Sequence, residues 1–154
     1  DHHINDYLSI NSKKVNRKFS LSKNKINKID HYNWWFNNKR ESYIFKKGSK
    51  KIILFFHEKI NIMKKDFIFP GWYVIDEKIN FLEILKGIYY QYKMLSSSKN
   101  LNLTQIGVIS KKNQSMVKLT KKLNWVLIKK GDKLLNILKN KMKMSKNFYY
   151  YKRR

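Results

Sequence analysis

Cysteine is absent from this 154-residue chain, which excludes disulfides, thiolate metal sites and cysteine nucleophiles and favours a reducing compartment. Proline occurs once, at Pro70, and glycine five times, so no Pro- or Gly-rich linker divides the sequence. One domain over residues 1–154 is expected, with a basic amphipathic extension from about residue 130. Long apolar runs are also missing. The longest, Ile52 to Phe56, has the length of a strand and falls far short of the ~20 residues of a bilayer-spanning helix. No basic–apolar–small signal pattern opens the chain, so a cytoplasmic protein is expected. A first residue of Asp rather than Met suits a processed product or a fragment.

Acids are scarce as well: 10 Asp and Glu face 35 Lys and Arg, for a net charge of +25. Such a field attracts polyanions, whether nucleic acid, anionic lipid or phosphate-rich small molecules. The codons of an AT-rich genome are the competing explanation for the Lys, Asn, Ile and Tyr content. They account for Lys in place of Arg better than for the missing acids. Apolar residues still make up 42% and aromatics 15%, enough for a core.

Patterning predicts a mixed α/β (α+β) fold. The first 25 residues read as a strand or loop followed by an irregular stretch. Asp30 is expected to cap a short aromatic helix over 31–37. Residues 42–46 and 51–60 form a hairpin through Gly48-Ser49, and 67–75 a third strand with a bend at Pro70-Gly71. Asp76 then caps a helix over 79–95. Its apolar residues (Ile79, Leu82, Leu85, Tyr89, Tyr92, flanked by Phe81, Ile84, Ile88 and Leu95) predict burial over most of its circumference. A loop at 96–98, a strand over 104–109, a helix over 115–123 and a strand over 125–128 follow. Asp132 caps a last helix carrying Leu134, Leu135, Leu138 and Met142. The tyrosines of Phe148–Arg154 suit either a sheet-completing strand or a stacking surface for single-stranded nucleic acid.

Two segments resemble a known family. Val15-x-Arg17-x-x-Ser20-x-Ser22, followed by Ile26 and Asp30-His31-x-x-Trp34-Trp35-Phe36, looks like the opening of GNAT (GCN5-related) N-acyltransferases that acylate nucleotide-linked amino sugars. Ile106-Gly107-Val108-Ile109, Asn113, Ser115, Leu119 and Leu123-Asn124-Trp125 are similar to that family's late strand, turn and helix, which normally close in Leu-Gly-Phe. The resemblance spans about Val15 to Ile128. It implies a mostly antiparallel mixed sheet with helices on both faces and transfer of an acetyl group from acetyl-CoA to an amine. A nucleotide amino sugar is then the expected acceptor, with Arg17, Trp34 and Trp35 binding it. By family analogy the backbone N–H groups of Trp72-Tyr73-Val74 polarise the thioester carbonyl.

The family's glycine-rich phosphate loop is replaced by Asp76-Glu77-Lys78-Ile79-Asn80, where Lys78 and Asn80 are the remaining groups for coenzyme A. Asn113 and Ser115 are further cofactor-binding candidates, Asn113 being equally suited to a plain turn. The family's tyrosine acid falls at Thr120, too weak an acid for that role. For a base the sequence offers His31, His57 and Glu58. His31 suits packing at a helix start as well, and the other two suit an ordinary strand end. No metal is expected, since His2-His3 has no ligand partners at metal spacing. P-loop, Rossmann and nucleophile-elbow signatures are missing. The alternative to an enzyme is an inactive GNAT-like basic domain holding RNA or a ribonucleoprotein.

Overall fold

Residues 3–20, 24–38, 40–97, 103–141 and 146–153 are described by the computed structural model of the protein. The apolar run at 52–56 sits in β2 (Lys50–Ile62), which pairs antiparallel with β1 (Glu41–Lys47) through the expected turn, where Gly48 takes φ 58°. A second turn, Met63-Lys64, joins β2 to β3 (Lys65–Val74) with both residues left-handed. Two consecutive positive φ values make the tight turn that matches strand twist, and they form here without the usual Asn-Gly signal. β3 pairs parallel with β4 (Thr104–Ser110), which runs antiparallel to β6 (Phe148–Arg153) beside β5 (Val126–Leu127). The strand order is β1-β2-β3-β4-β6-β5 in one mostly antiparallel sheet.

The chain divides into two compact units, 1–58 with 70–101 and 59–69 with 102–154. In the first, alternation along β2 sends Leu54 and Phe56 to one face and Ile53 and Phe55 to the other. Leu54 packs with Tyr7 and Ile10 of α1 (Ile4–Ser12) and with Trp34 and Trp35 of α3 (Lys28–Asn37). Ile53 lies against Gly87, and Phe55 against Tyr90, of α4 (Phe81–Ser97) on the opposite face. Helices therefore cover both faces of the sheet. In the second unit, Leu135 and Leu138 of α6 (Lys133–Lys141) join Ile106, Tyr150, Phe67 and Phe69 in a core. α5 (Gln114–Lys122) buries Val117 and Thr120, and Gly107 leaves room for the Trp125 ring, 3.0 Å from where a Cβ would stand.

Several expectations are corrected. The opening residues are helical, as α1 and the short α2 (Lys14–Arg17), rather than strand or loop. Their polar sequence hides the helix because only Tyr7 and Ile10, one turn apart, reach the core. α3 begins earlier, with Asn27 Oδ1 accepting from Ile29 N, which leaves Asp30 in the first turn instead of at the cap. α4 starts later: Asn80 Oδ1 accepts from Leu82 N, while Asp76 closes a separate turn by accepting from Lys78 N.

α4 is also less covered than its composition predicts. Leu82 is 64% and Tyr89 69% exposed, and burial falls to Ile84, Gly87, Ile88, Gln91 and Leu95. The terminal strand buries Tyr150 and Tyr151, so these tyrosines complete the sheet. Met142, Ser22, His2 and Arg154 lie outside the described residues.

Candidate functional site

Trp34 and Trp35 of the first motif converge on Tyr7, with Arg40 beside Trp34, while Phe36 is exposed. Tyr7 is almost fully buried, with the rings of His31, Trp34, Trp35, Phe56 and Tyr73 within 5.4–6.3 Å. Burial pushes its hydroxyl pKa far above the ordinary phenol value and raises that of Tyr73 as well. The guanidinium of Arg40 lies over the rings of Trp34 (4.9 Å) and Phe56 (4.5 Å), within cation–π distance of both. Its Nη1 donates to Tyr7 Oη at 3.0 Å, and its Nε and Nη2 donate to Glu58 Oε2 at 3.3 and 2.9 Å. One carboxylate oxygen of Glu58 is thus committed to Arg40.

In front of this cluster opens a cleft of about 280 Å³ lined by, among others, Arg17, Lys25, Asp30, His31, Trp34 and Arg40. That volume lies near the lower bound, about 300 Å³, of small-molecule sites. Arg17 is held by the loop it faces, donating through Nη2 to Asn24 O at 2.7 Å and through Nη1 to Ser20 Oγ at 3.4 Å. Arg17 lines the cleft, which brings a guanidinium to its wall. His31 is 3% exposed, with Nε2 3.0 Å from Ile4 O. A carbonyl only accepts, so Nε2 carries the proton, and in the neutral ring Nδ1 keeps its lone pair. Asp30 is a carboxylate on the cleft wall, at a position the sequence marks as a cap and as part of the motif but not as a binding residue.

The expected donors on β3 are differently placed from one another. Val74 N donates to Asn16 Oδ1 at 2.9 Å, and Asn16 Nδ2 donates to Val74 O at 2.8 Å and to Ile10 O at 2.7 Å. Lys13 Nζ donates to Ile75 O beside it. Ile75 N donates to Ile52 O of β2, so strand alternation turns Tyr73 toward β2 and Trp72 and Val74 away from it. Since Asn16 holds Val74, Trp72 is the residue whose amide remains on that edge. At the start of α4, Asp76, Glu77 and Lys78 are exposed. Asn80 takes up the helix amides, its side chain accepting from Leu82 N and its carbonyl from Glu83 N and Ile84 N. Asn80 thus occupies the Leu82 and Glu83 amides that a diphosphate would use there, and no glycine opens the backbone.

His57 and Glu58 are adjacent on β2 and therefore lie on opposite faces. His57 stacks on Tyr43 at 5.8 Å, away from the cleft-lining helices, with Nε2 3.2 Å from Glu41 Oε2. Burial lowers its pKa, against the pull of Glu41, and Nδ1 is a buried acceptor with no partner. In the other unit, Asn113 caps α5 by accepting from Met116 N, and Ser115 is exposed in its first turn. Thr120 is buried, its Oγ1 donating to Met116 O at 2.6 Å. The structure thus gathers Arg17, His31 and Trp34 at one cleft, with Trp35 and Glu58 behind it. His57, Lys78, Asn80, Asn113 and Ser115 do not line it. Arg40, Asp30 and Asn16 were missed by sequence reasoning, and all but Asp30 act through contacts far apart in the chain.

No protein-family model matches the sequence, and no curated protein does. Solved structures do. A domain from Methanocaldococcus jannaschii superposes with a TM-score of 0.72 at 18% identity, over 99% of this chain and 92% of that one. The Campylobacter jejuni N-acetyltransferase PseH, in complex with acetyl coenzyme A, gives 0.52 at 14% identity, over 80% and 74%. RimL, a ribosomal L7/L12 alpha-N-protein acetyltransferase in complex with coenzyme A, gives 0.63 at 8%, over 99% and 88%. The chain has the GNAT fold. Within this GNAT fold, the Arg17–Trp35 motif builds the cleft, and the motif from Ile106 to Trp125 builds β4, α5 and the entry to β5.

Proposed function

We propose that the protein is a GNAT-type N-acyltransferase that moves an acetyl group from acetyl-CoA to an amine held in the cleft of Arg17, Asp30, His31 and Trp34. A cytoplasmic setting goes with this reading. One observation carries it: in a GNAT fold, the motif that resembles the acceptor-binding segment does form a cleft with a cation, a carboxylate, an aromatic wall and an imidazole. Asp30 would hold the acceptor ammonium, Arg17 its anionic part, and Trp34 its ring. An amino-sugar nucleotide has all three groups.

His31 Nδ1 would take the proton that the amine must lose before it attacks. The nitrogen then bonds to the thioester carbonyl carbon, the C–S bond breaks, and the departing thiolate takes up the second proton that the new amide nitrogen sheds. A thiolate is a far better leaving group than an alkoxide or an amide and departs without a strong protein acid, so the inert Thr120 is no obstacle. Trp72 N–H is the chain's donor for the carbonyl oxygen. The start of α4 does not suit a backbone cradle for the diphosphate, and Lys78 is the side chain left for it.

The test is calorimetry with acetyl-CoA followed by a thiol-release assay with amine acceptors. Saturable one-to-one binding with amine-dependent thiol release supports the proposal, and no heat with acetyl-CoA refutes it. His31→Gln, which keeps a donor for Ile4 O, is expected to lower kcat at least ~100-fold with KM little changed. Equal loss of kcat and melting temperature would assign His31 to packing alone. A second reading, an inactive basic domain that binds RNA, is favoured by the capped amides and the two exposed carboxylates, Asp76 and Glu77, at the start of α4.

A further inference from the structure

The outer face of α4 has no role in the cleft, yet it carries an unusual surface. Leu82, Lys86, Tyr89 and Lys93 follow one another at spacings of four, three and four, which puts them on a single line along the helix. All four are exposed, Tyr89 at 69%, and Tyr89 is not among the rings that pack on one another in this unit. Tyr90 flanks the line at 53% exposure, propped against Phe45 at 5.8 Å and Phe55 at 6.4 Å. The one acid of the helix, Glu83, lies to the side and is already held by Lys47 at 3.0 Å and Lys50 at 4.0 Å. Glu83 also draws on Lys86, which leaves Lys93 as the ammonium farthest from any acid of the helix. The line therefore alternates apolar side chains, Leu82 and Tyr89, with ammonium groups, Lys86 and Lys93, over about 16 Å of helix.

We infer that this face of α4 binds single-stranded nucleic acid, with bases stacking on Tyr89 and Tyr90 and phosphates meeting Lys86 and Lys93. The alternation decides among possible partners. A membrane-surface helix separates its apolar stripe from its lysines, and here they share one line. The centre of a protein–protein interface is depleted in lysine, and here lysines stand between the apolar residues. Single strands need both groups close together: a cationic track for the backbone and ring faces for the bases. The net charge of +25 adds long-range attraction but no position; the line on α4 supplies the position. This surface is independent of acetyl transfer and stands whether or not acetyl-CoA binds.

The test is fluorescence anisotropy with a labelled single-stranded RNA of about ten nucleotides, titrated at several salt concentrations. Tyr89→Ala is expected to weaken binding about tenfold. Lys86→Gln with Lys93→Gln should reduce the slope of log affinity against log salt by about 1.4. The matched control, Lys129→Gln with Lys130→Gln, removes the same charge from exposed positions elsewhere and should leave the Tyr89 effect intact. Every substituted side chain on the line is exposed, so circular dichroism should report an unchanged fold. Equal losses from the control pair with no loss from Tyr89→Ala would reduce the binding to bulk charge and overturn the inference. So would equal affinity for a duplex of the same length, or a preference for phosphatidylserine vesicles lost in Tyr89→Ala.

Discussion

Gly71→Ala is the sharpest test of how the aromatic cluster is built. A Cβ at this position would stand 2.3 Å from Phe56 Cζ and 2.6 Å from Phe56 Cε2. Distances that short force a shift, and the half-buried ring has neighbours that resist it. Tyr73 lies 5.2 Å from it and Tyr7 6.3 Å, with the Arg40 guanidinium 4.5 Å above. Overpacking a constrained core costs about 1–3 kcal/mol. For a chain of this size that is a drop in melting temperature of roughly 2–4 °C per kcal/mol. Phe56→Leu alone should also destabilise, by about 1 kcal/mol or more. The double variant, in which the ring is gone, should be more stable than the sum of the two losses predicts. Urea denaturation of the four proteins measures this coupling. If Gly71→Ala costs less than about 0.5 kcal/mol, or the two losses simply add, Phe56 is not fixed as described.

Two further outcomes follow from the same unit. Arg40→Lys keeps the charge but loses the planar fork to Glu58 and Tyr7 and the stacking on Trp34 and Phe56. Since Arg40 and Glu58 are partly exposed, a loss of about 1–2 kcal/mol is expected, read from the urea midpoint at constant m. His57 has a folded pKa below its ordinary value of 6.5 because it is buried. The unfolded chain then binds more protons between the two pKa values, so stability is full above about pH 6.5 and declines as pH falls through that window. His57→Gln should flatten this part of the stability–pH curve, and an unchanged slope would contradict burial as the cause.

Much of the fold is legible in the sequence, for reasons that can be named. The β1–β2 hairpin reads clearly because a wholly apolar run adjoins a Gly-Ser turn. The order of elements from β1 to α6 follows from local periodicity, whereas the tyrosines of the last segment suit a strand and a stacking surface equally. What fails is the choice between equivalent local signals. Asn27 and Asp30 both suit an N-cap, as do Asp76 and Asn80, and only backbone geometry shows which residue stands at the helix boundary. α1 fails for a different reason: two buried residues in nine are too few to show a period. The periodicity of α4 misleads the other way, because apolar content predicts burial and Leu82 and Tyr89 nonetheless face solvent.

The candidate site divides along the same line. Arg17, His31 and Trp34 could be chosen from the sequence because they are close together in it. Arg40 lies 33 residues from Tyr7 and 18 from Glu58, and Asn16 lies 58 from Val74, so no local pattern announces those contacts.

The Asn16 contact bears on how fast acetyl transfer could be. A primary amide offers a donor and an acceptor at the spacing of a peptide group, so Asn16 does for Val74 what a neighbouring strand would do. It also receives further anchoring from Ile10 O. Breaking it would strand a partly buried N–H and C=O, which costs more than the hydrogen bonds are worth in place. Val74 N–H is therefore not a spare donor waiting for an acyl oxygen. On the acetyltransferase reading, with Val74 N–H taken by Asn16, Trp72 N–H is the amide of this strand edge left for the carbonyl. Losing one donor from an oxyanion site costs about 10²–10³ in rate. The protein should then turn over slowly beside enzymes with two such donors, even with the cleft fully formed.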